Sequence, residues 1–366
     1  MAGSTLGTIF RITTWGESHG KALGVVVDGC PAGLSLCEED IQEYLNRRKP
    51  GQSSITTQRK EADEVEILSG VFEGKTTGTP ISLMVRNTSQ ISKDYGNIAT
   101  CYRPGHADFT FDAKYGFRDY RGGGRSSGRE TIGRVAAGAI AAKILKQLGI
   151  EVFAYTRSIG PYTIDYDHFD KEAARTTPTA MPDLETGEKA YEYLQQSREA
   201  CDSVGGCMEC IVTGMPAGIG DTVFEKLDAN LSKAMMSIGA VKAVEIGDGI
   251  EVASRRGSEN NDAFIMQDGQ VAKATNHAGG ILGGMSDGSD IIIRAYVKPT
   301  PSIFRTQQTV TQTGEEIELQ IKGRHDPIIV PRAVVVMESM AAITILDAMM
   351  VNMSARMDSL ESFYQK

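Results

Sequence analysis

Short runs of apolar and β-branched residues over 6–13, 24–28, 64–69, 80–85 and 208–213 predict strands. Helical spacing replaces them over 38–48, 130–148, 189–199 and 333–350. The helix over 38–48 opens on Glu38, Glu39 and Asp40 and closes on Arg47 and Arg48, the charge order that suits a helix dipole. The one over 130–148 carries Ile132, Val135, Ile140, Ile144 and Leu145 with Gly149 as a stop. Its small middle (Ala136, Ala137, Gly138, Ala139, Ala141, Ala142) lets neighbours approach on several sides, so a buried central helix is predicted. Between these elements, 49–60 reads as a mobile basic loop and 176–187, with Pro178 and Pro182, as a surface excursion. Over 94–128 both periods fail and Gly and Arg dominate. Phe109, Phe111, Tyr115, Phe117 and Tyr120 recur there, which marks a long functional loop rather than disorder.

The chain echoes itself. Val27-Asp28-Gly29-Cys30-Pro31-Ala32-Gly33-Leu34 returns as Val212-Thr213-Gly214-Met215-Pro216-Ala217-Gly218-Ile219, in each case after a strand and before a helix. Gly128-Arg129 and its helix return as Gly323-Arg324 and the helix over 333–350. Two echoes in the same order predict a duplicated strand-turn-helix unit. The expected architecture is α+β with pseudo-twofold halves at about 1–160 and 200–350 of a single domain over 1–366, not a doubly wound nucleotide fold.

Composition narrows the classes. Hydrophobic residues make up 41% and charged residues 23% of 366, ordinary globular usage. A net charge of -9 argues against a basic nucleic-acid footprint, so any anion site must be a local concentration of positive charge. No stretch of about 18 residues is free of polar interruption, so no membrane span is expected. Without a secretory pattern at the start, a cytoplasmic protein with six reduced thiols is expected. Cys201, Cys207 and Cys210 invite a zinc reading, but residues three apart on a strand point to opposite faces, and no metal is expected there.

Positive charge concentrates in two places. From Arg118 to Arg134 there are five Arg against Asp119 and Glu130, in a Gly-rich approach to a helix start that also carries Ser126 and Ser127. Free backbone N–H groups, hydroxyls and guanidinium forks together make an anion cradle. Arg47, Arg48, Lys49, Arg59 and Lys60 form a second basic run. A nucleotide phosphate loop is excluded, because Arg129 and Glu130 stand where Lys and Ser or Thr are needed. Of the five His, His19 and His106 lie in Gly-flanked loops near this charge, whereas His168, His277 and His325 have weaker settings. These residues point to chemistry on a phosphorylated small anion. A His-dependent phosphoester hydrolase and a non-catalytic sensor of such an anion stay open at this level.

The motifs Gly16-Glu17-Ser18-His19-Gly20, Thr77-Gly78-Thr79-Pro80-Ile81, Arg103-Pro104-Gly105-His106-Ala107-Asp108, Tyr120-Arg121-Gly122-Gly123-Gly124-Arg125-Ser126-Ser127-Gly128-Arg129-Glu130-Thr131 and Gly323-Arg324-His325-Asp326-Pro327 occur together and in order. In them the chain closely resembles the chorismate synthase family over about 5–347. The resemblance implies a β-α-β sandwich with central helices between antiparallel sheets, usually as a homotetramer. It implies 1,4-anti elimination of phosphate from 5-enolpyruvylshikimate 3-phosphate, the last common step towards aromatic amino acids, with reduced FMN and no net redox change. His19 would then protonate the leaving phosphate and His106 the reduced flavin, both as cations, with Ser18 and Asp347 near the flavin N5. Flavin contacts would come from Arg125, Ser126, Ser127, Gly239, Ala240, Gly283, Lys298, Pro299, Thr300, Pro301, Ser302 and Arg324. Arg48, Arg103, Arg129 and Arg134 would hold substrate or a nicotinamide cofactor. Ser54 stands where bacterial relatives often have Arg, which puts one such contact in doubt. The resemblance further implies that an external flavin reductase supplies the reduced FMN, with NADPH as indirect reductant.

Overall fold

The computed structural model describes residues 3–49, 62–87, 98–321 and 326–365. The basic stretch over 50–60, Ser54, Arg324 and His325 fall outside them. The first half contributes strands β1 (Thr5–Leu6), β2 (Arg11–Gly16), β3 (Ala22–Asp28), β4 (Val65–Ile67), the hairpin β5 (Val71–Phe72) and β6 (Lys75–Thr76), and β7 (Ile81–Arg86). It also contributes helices α1 (Glu38–Arg48), α2 (Asp108–Tyr115) and α3 (Thr131–Gln147). Next come β8 (Glu151–Ile159), β9 (Tyr162–Thr163), α4 (Lys171–Thr176), α5 (Leu184–Glu199), β10 (Gly206–Thr213), α6 (Leu227–Met236), β11 (Val241–Ile246) and α7 (Gly257–Asn260). The hairpins β12 (Phe264–Gln267) with β13 (Gln270–Lys273) and β14 (Ile281–Leu282) with β15 (Met285–Ser286) precede β16 (Ile291–Val297). A last hairpin, β17 (Gln307–Val310) and β18 (Glu316–Leu319), leads to α8 (Val330–Asn352) and α9 (Met357–Tyr364).

Two five-stranded antiparallel sheets, ordered β1-β2-β3-β7-β4 and β11-β16-β10-β8-β9, enclose the central helices. Helix α3 packs on β3 and α8 on β8 and β10, and the two helices pack on each other. Their small residues explain the closeness. A side chain on Gly138 would meet the Ser339 Cα at 2.6 Å, and one on Gly133 would meet the Gly24 carbonyl at 3.0 Å. Helix α8 is long and apolar enough to cross a membrane by length and composition, with a mean hydropathy of 1.9 in its most apolar window. Most of that window is buried in the sandwich, which is how a core helix reads.

Equivalent strands occupy equivalent places in the two sheets: β2, β3, β7 and β4 in one, β8, β10, β16 and β11 in the other. The same turn lock recurs as well. Thr76 Oγ1 donates to the Pro31 carbonyl and accepts from the Leu34 N–H, and Ser286 Oγ does the same with Pro216 and Ile219.

Three local expectations need correction. The strand expected over 6–13 is split, because the Asp347 carboxylate takes the N–H groups of Thr8, Ile9 and Phe10 and so removes them from the ladder. The irregular stretch contains α2, stopped by Gly116 in a left-handed conformation. The excursion over 176–187 is only partly on the surface: Thr179, Met181 and Asp183 are buried, whereas Thr176, Pro178, Leu184 and Glu185 are exposed. Asp183 caps α5 by accepting the Thr186 N–H, so that helix starts five residues before the expected 189.

Candidate active site

His19 sits in the tight turn between β2 and β3, closed by the Gly20 N–H donating to the Glu17 carbonyl at 3.0 Å. Ser18, itself buried, places Oγ 3.2 Å from His19 Nδ1. The Arg-rich loop lies directly against the ring. A side chain on Gly122 would stand 2.3 Å from Nδ1, so only glycine permits this approach. Asp119, from the same loop, interacts electrostatically with His19.

His106 lies in the loop before α2, with Nδ1 2.9 Å from the Pro104 carbonyl and Nε2 2.9 Å from Ser302 Oγ. A carbonyl can only accept, so Nδ1 carries the proton and neutral Nε2 accepts from the serine hydroxyl. Burial, and after it the Arg103 guanidinium, pushes the His106 pKa down to about 4, outweighing the Pro104 bond and Asp108. The His cation expected there is therefore absent from the ligand-free site at neutral pH, and an adjacent anion is needed to form it. Because the folded pKa lies below the ordinary 6.5, the unfolded chain gains the proton first. The stabilising contribution is complete above about pH 6.5 and is lost as pH falls towards 4. Ring ¹⁵N shifts of His106 in flavin-free protein should stay those of a neutral Nδ1–H imidazole at pH 6. A cationic ring at that pH would refute the assignment.

The Lys298 to Ser302 segment packs on this loop: Lys298 Nζ donates to the Gly105 carbonyl, and Pro301 leaves no room for a side chain at Gly105. Arg103 is held by Asp108 in a buried bidentate pair. Backbone N–H of Lys298 donates to the Ala240 carbonyl, and Arg134 Nη1 donates to Ser237 Oγ, which ties the 237–240 turn to the start of α3. Arg118 approaches Asp108 while its neighbour Asp119 faces His19, so this short segment bridges the two His loops. Arg48 and Arg129 meet on one carboxylate, Asp63, at 2.5 and 3.2 Å.

Other expected site residues are placed differently. Arg125 spends its guanidinium on the Gly16 and Thr14 carbonyls and the hydroxyls of Thr14 and Ser4, so it fastens the Arg-rich loop to β2 rather than opening towards a ligand. Ser126 donates to the Gly123 carbonyl, and Ser127 caps the short turn at Arg129. Asp347 serves the Thr8 to Phe10 amides at the start of β2, the opposite end of that strand from Ser18 and His19. The structure therefore does not bring Asp347 to Ser18 within one chain. Gly283 lies in the β14–β15 turn. Cys207 and Cys210 lie on β10 and are buried. Asp63 and Asn87 escaped the sequence reading altogether. The only prior signal was the acid-free run Arg47, Arg48, Lys49, which left open what neutralises it.

A family model of chorismate synthase matches residues 10–350. Chorismate synthase of Agathobacter rectalis is 67% identical over 366 residues, covering all of both chains. That of Lachnoclostridium phytofermentans is 66% identical over the full length of both, and that of Methanocella arvoryzae 57% identical over 95% of each. A crystal structure of chorismate synthase superposes with a TM-score of 0.77 at 32% identity, covering 98% of this chain and 97% of its own.

Proposed function

The chain belongs to the chorismate synthase family, a family of lyases, and from that premise we propose that it converts 5-enolpyruvylshikimate 3-phosphate to chorismate and phosphate by 1,4-anti elimination, with reduced FMN bound and no net redox change. The observation that carries this reading is the convergence of the His19 turn and the His106 loop on the Arg118–Arg129 stretch. The substrate brings a phosphate and two carboxylates, and guanidinium forks are suited to such groups. Arg48 and Arg129 supply two of them, and Arg103 and Arg134 stand at the neighbouring walls.

His19 gives a proton to the departing phosphate, with Ser18 beside Nδ1 to hold the ring. His106, neutral in the ligand-free site, gains its proton only when negative charge is bound beside it. When bound, reduced FMN would supply the electron-donating chemistry that an elimination without net redox change needs. The residues present fit such a group: Thr300 Oγ1, in the segment packed on His106, is buried with no hydrogen-bond partner among the described residues. Lys298, Pro299, Thr300, Pro301 and Ser302 with Gly239 and Ala240 would form its walls. Ser126, Ser127, Gly283 and Arg324 complete the set by resemblance. We also place the protein in the cytoplasm as a homotetramer, its flavin reduced by an external reductase with NADPH as ultimate donor. We take the two halves of its single domain as copies of one unit, on the matching sheet orders and turn locks.

Anaerobic incubation with 5-enolpyruvylshikimate 3-phosphate, with and without chemically reduced FMN, tests the reading. Chorismate and phosphate should appear in equal amounts only when reduced FMN is present. Phosphate without chorismate would replace it with a hydrolase, and no product with a binding protein.

A further inference from the structure

A buried cation, Arg48, and a partly buried one, Arg129, share one buried anion beside the His19 turn. Asp63 is 3% exposed, and its Oδ2 accepts from Arg48 Nη2 at 2.5 Å while Oδ1 stands 3.2 Å from Arg129 Nη1. It adopts a left-handed φ of 49°, an unfavourable backbone for a residue other than glycine, though one that Asp tolerates better than most. Its carbonyl is held by Gln42 Nε2 at 3.3 Å. The neighbouring Arg332, paired with Asp326 at 2.5 Å, adds to the positive potential at Arg48.

Arg48 Nη1 reaches the Gly128 carbonyl and Thr131 Oγ1 at 3.4 and 3.5 Å, yet its Nε is buried with no hydrogen-bond partner among the described residues. A buried, unpaired N–H on a cation is costly, and an anion that accepts from it removes that cost.

Asn87 extends the same group. Its Oδ1 accepts from Arg129 Nε at 3.0 Å, and its Nδ2 donates to the carbonyls of Glu17 at 3.0 Å and Gly20 at 2.8 Å. A guanidinium only donates and carbonyls only accept, so these partners fix which way the amide points. Glu17 and Gly20 are the two ends of the turn that carries His19.

We infer that Asp63 and Asn87 are positioning residues of the oxyanion subsite: Asp63 fixes the Arg48–Arg129 pair, and Asn87 couples Arg129 to the His19 turn. The inference rests on the reading above that this pair holds the substrate. An oxyanion seated on the guanidiniums is thereby set at a fixed distance from the proton donor, although neither Asp63 nor Asn87 touches it. Phosphate and carboxylate share the required chemistry.

The test titrates inorganic phosphate and, separately, pyruvate into the flavin-free full chain by calorimetry, following the His19 ring by NMR. Wild type should bind at least one of them, phosphate marking a phosphoryl subsite and pyruvate a carboxylate subsite. Binding of neither overturns the inference. Asp63→Asn should weaken that binding about tenfold, the loss expected for one charge-assisted contact. If Asp63 merely neutralised charge, the same change would tighten anion binding, so tighter or equal affinity overturns its role. Asn87→Ala leaves every charge in place and serves also if Asp63→Asn fails to fold. It should weaken the anion several-fold and abolish the shift of the His19 signal on anion binding. Unchanged affinity with an unchanged His19 response overturns the coupling. An anion site that behaves as described in a protein that forms no chorismate would sink the reaction assignment alone.

Discussion

His19→Ala should lower the rate of chorismate formation by about 10²-fold or more, with KM little changed, because a positioned proton donor contributes on that scale and only in the transition state. The fold should survive. His19 sits in a turn whose closure is the Gly20 to Glu17 backbone bond, with Asn87 bonding to carbonyls on either side of it, and none of these needs the imidazole. What the imidazole has instead is close packing against the Arg-rich loop: Gly122 contributes no side chain at the point where one would collide with Nδ1, and Ser18 Oγ stands at 3.2 Å. Anaerobic turnover with reduced FMN, measured beside a thermal unfolding scan, checks both halves of the expectation. Near-normal turnover removes His19 from proton transfer, whereas loss of fold would show that its packing had been misjudged.

Helices α1 and α3 were legible in the sequence because their ends and faces carry the signal locally: acidic residues then basic ones in α1, and a run of alanines with periodic Ile and Val in α3. The strand over 6–13 was misread because what interrupts it, Asp347, is 337 residues or more away along the chain. Helix α2 carries a weak pattern, since Asp108 is its one buried residue and Phe109 and Tyr115 stay exposed. The stretch before α5 looked exposed by composition, yet Asp183 is a cap and its side chain is satisfied inside.

The candidate site divides in the same way. Scarcity of His and crowding of Arg made His19, His106 and the 118–134 region visible from residue types alone. Which Arg face a ligand is a question of partners, and Arg125 turned out to be occupied by β2 carbonyls while the Arg48 Nε has no hydrogen-bond partner among the described residues. Counter-ions such as Asp63 come from distant segments with no spacing signature, so only the folded distances disclose them. The protonation of His106 was likewise outside the sequence, because it depends on burial and on the Arg103 neighbour that folding supplies.

Glu338→Ala should cost about 3 kcal/mol of stability, the low end of what removing one partner from a buried ion pair costs. Glu338 lies inside α8 with its side chain 1% exposed, at the meeting point of four elements. It accepts from Arg47 Nη1 at 2.6 Å and Nη2 at 3.0 Å on α1, from Arg175 Nη2 at 3.2 Å on α4, and from the Ala154 N–H at 3.1 Å on β8. Alanine leaves the Ala154 amide unsatisfied and both cations without a counter-charge. Each of these Arg side chains is nearly a third exposed, so water can recover part of the loss, which is why the low end applies. Glu338→Gln keeps the shape and one acceptor oxygen and should lose less. Chemical denaturation should show the midpoint falling with the slope unchanged, since the surface exposed on unfolding is the same. A midpoint for Glu338→Ala equal to wild type would mean that the two Arg are held by packing alone, including the stacking of Arg175 on Phe153. Because Arg47 adjoins Arg48 on α1, the alanine variant should also weaken oxyanion binding at the Arg48–Arg129 pair more than Glu338→Gln does. That ordering separates a helix end that has shifted from one that has lost only charge.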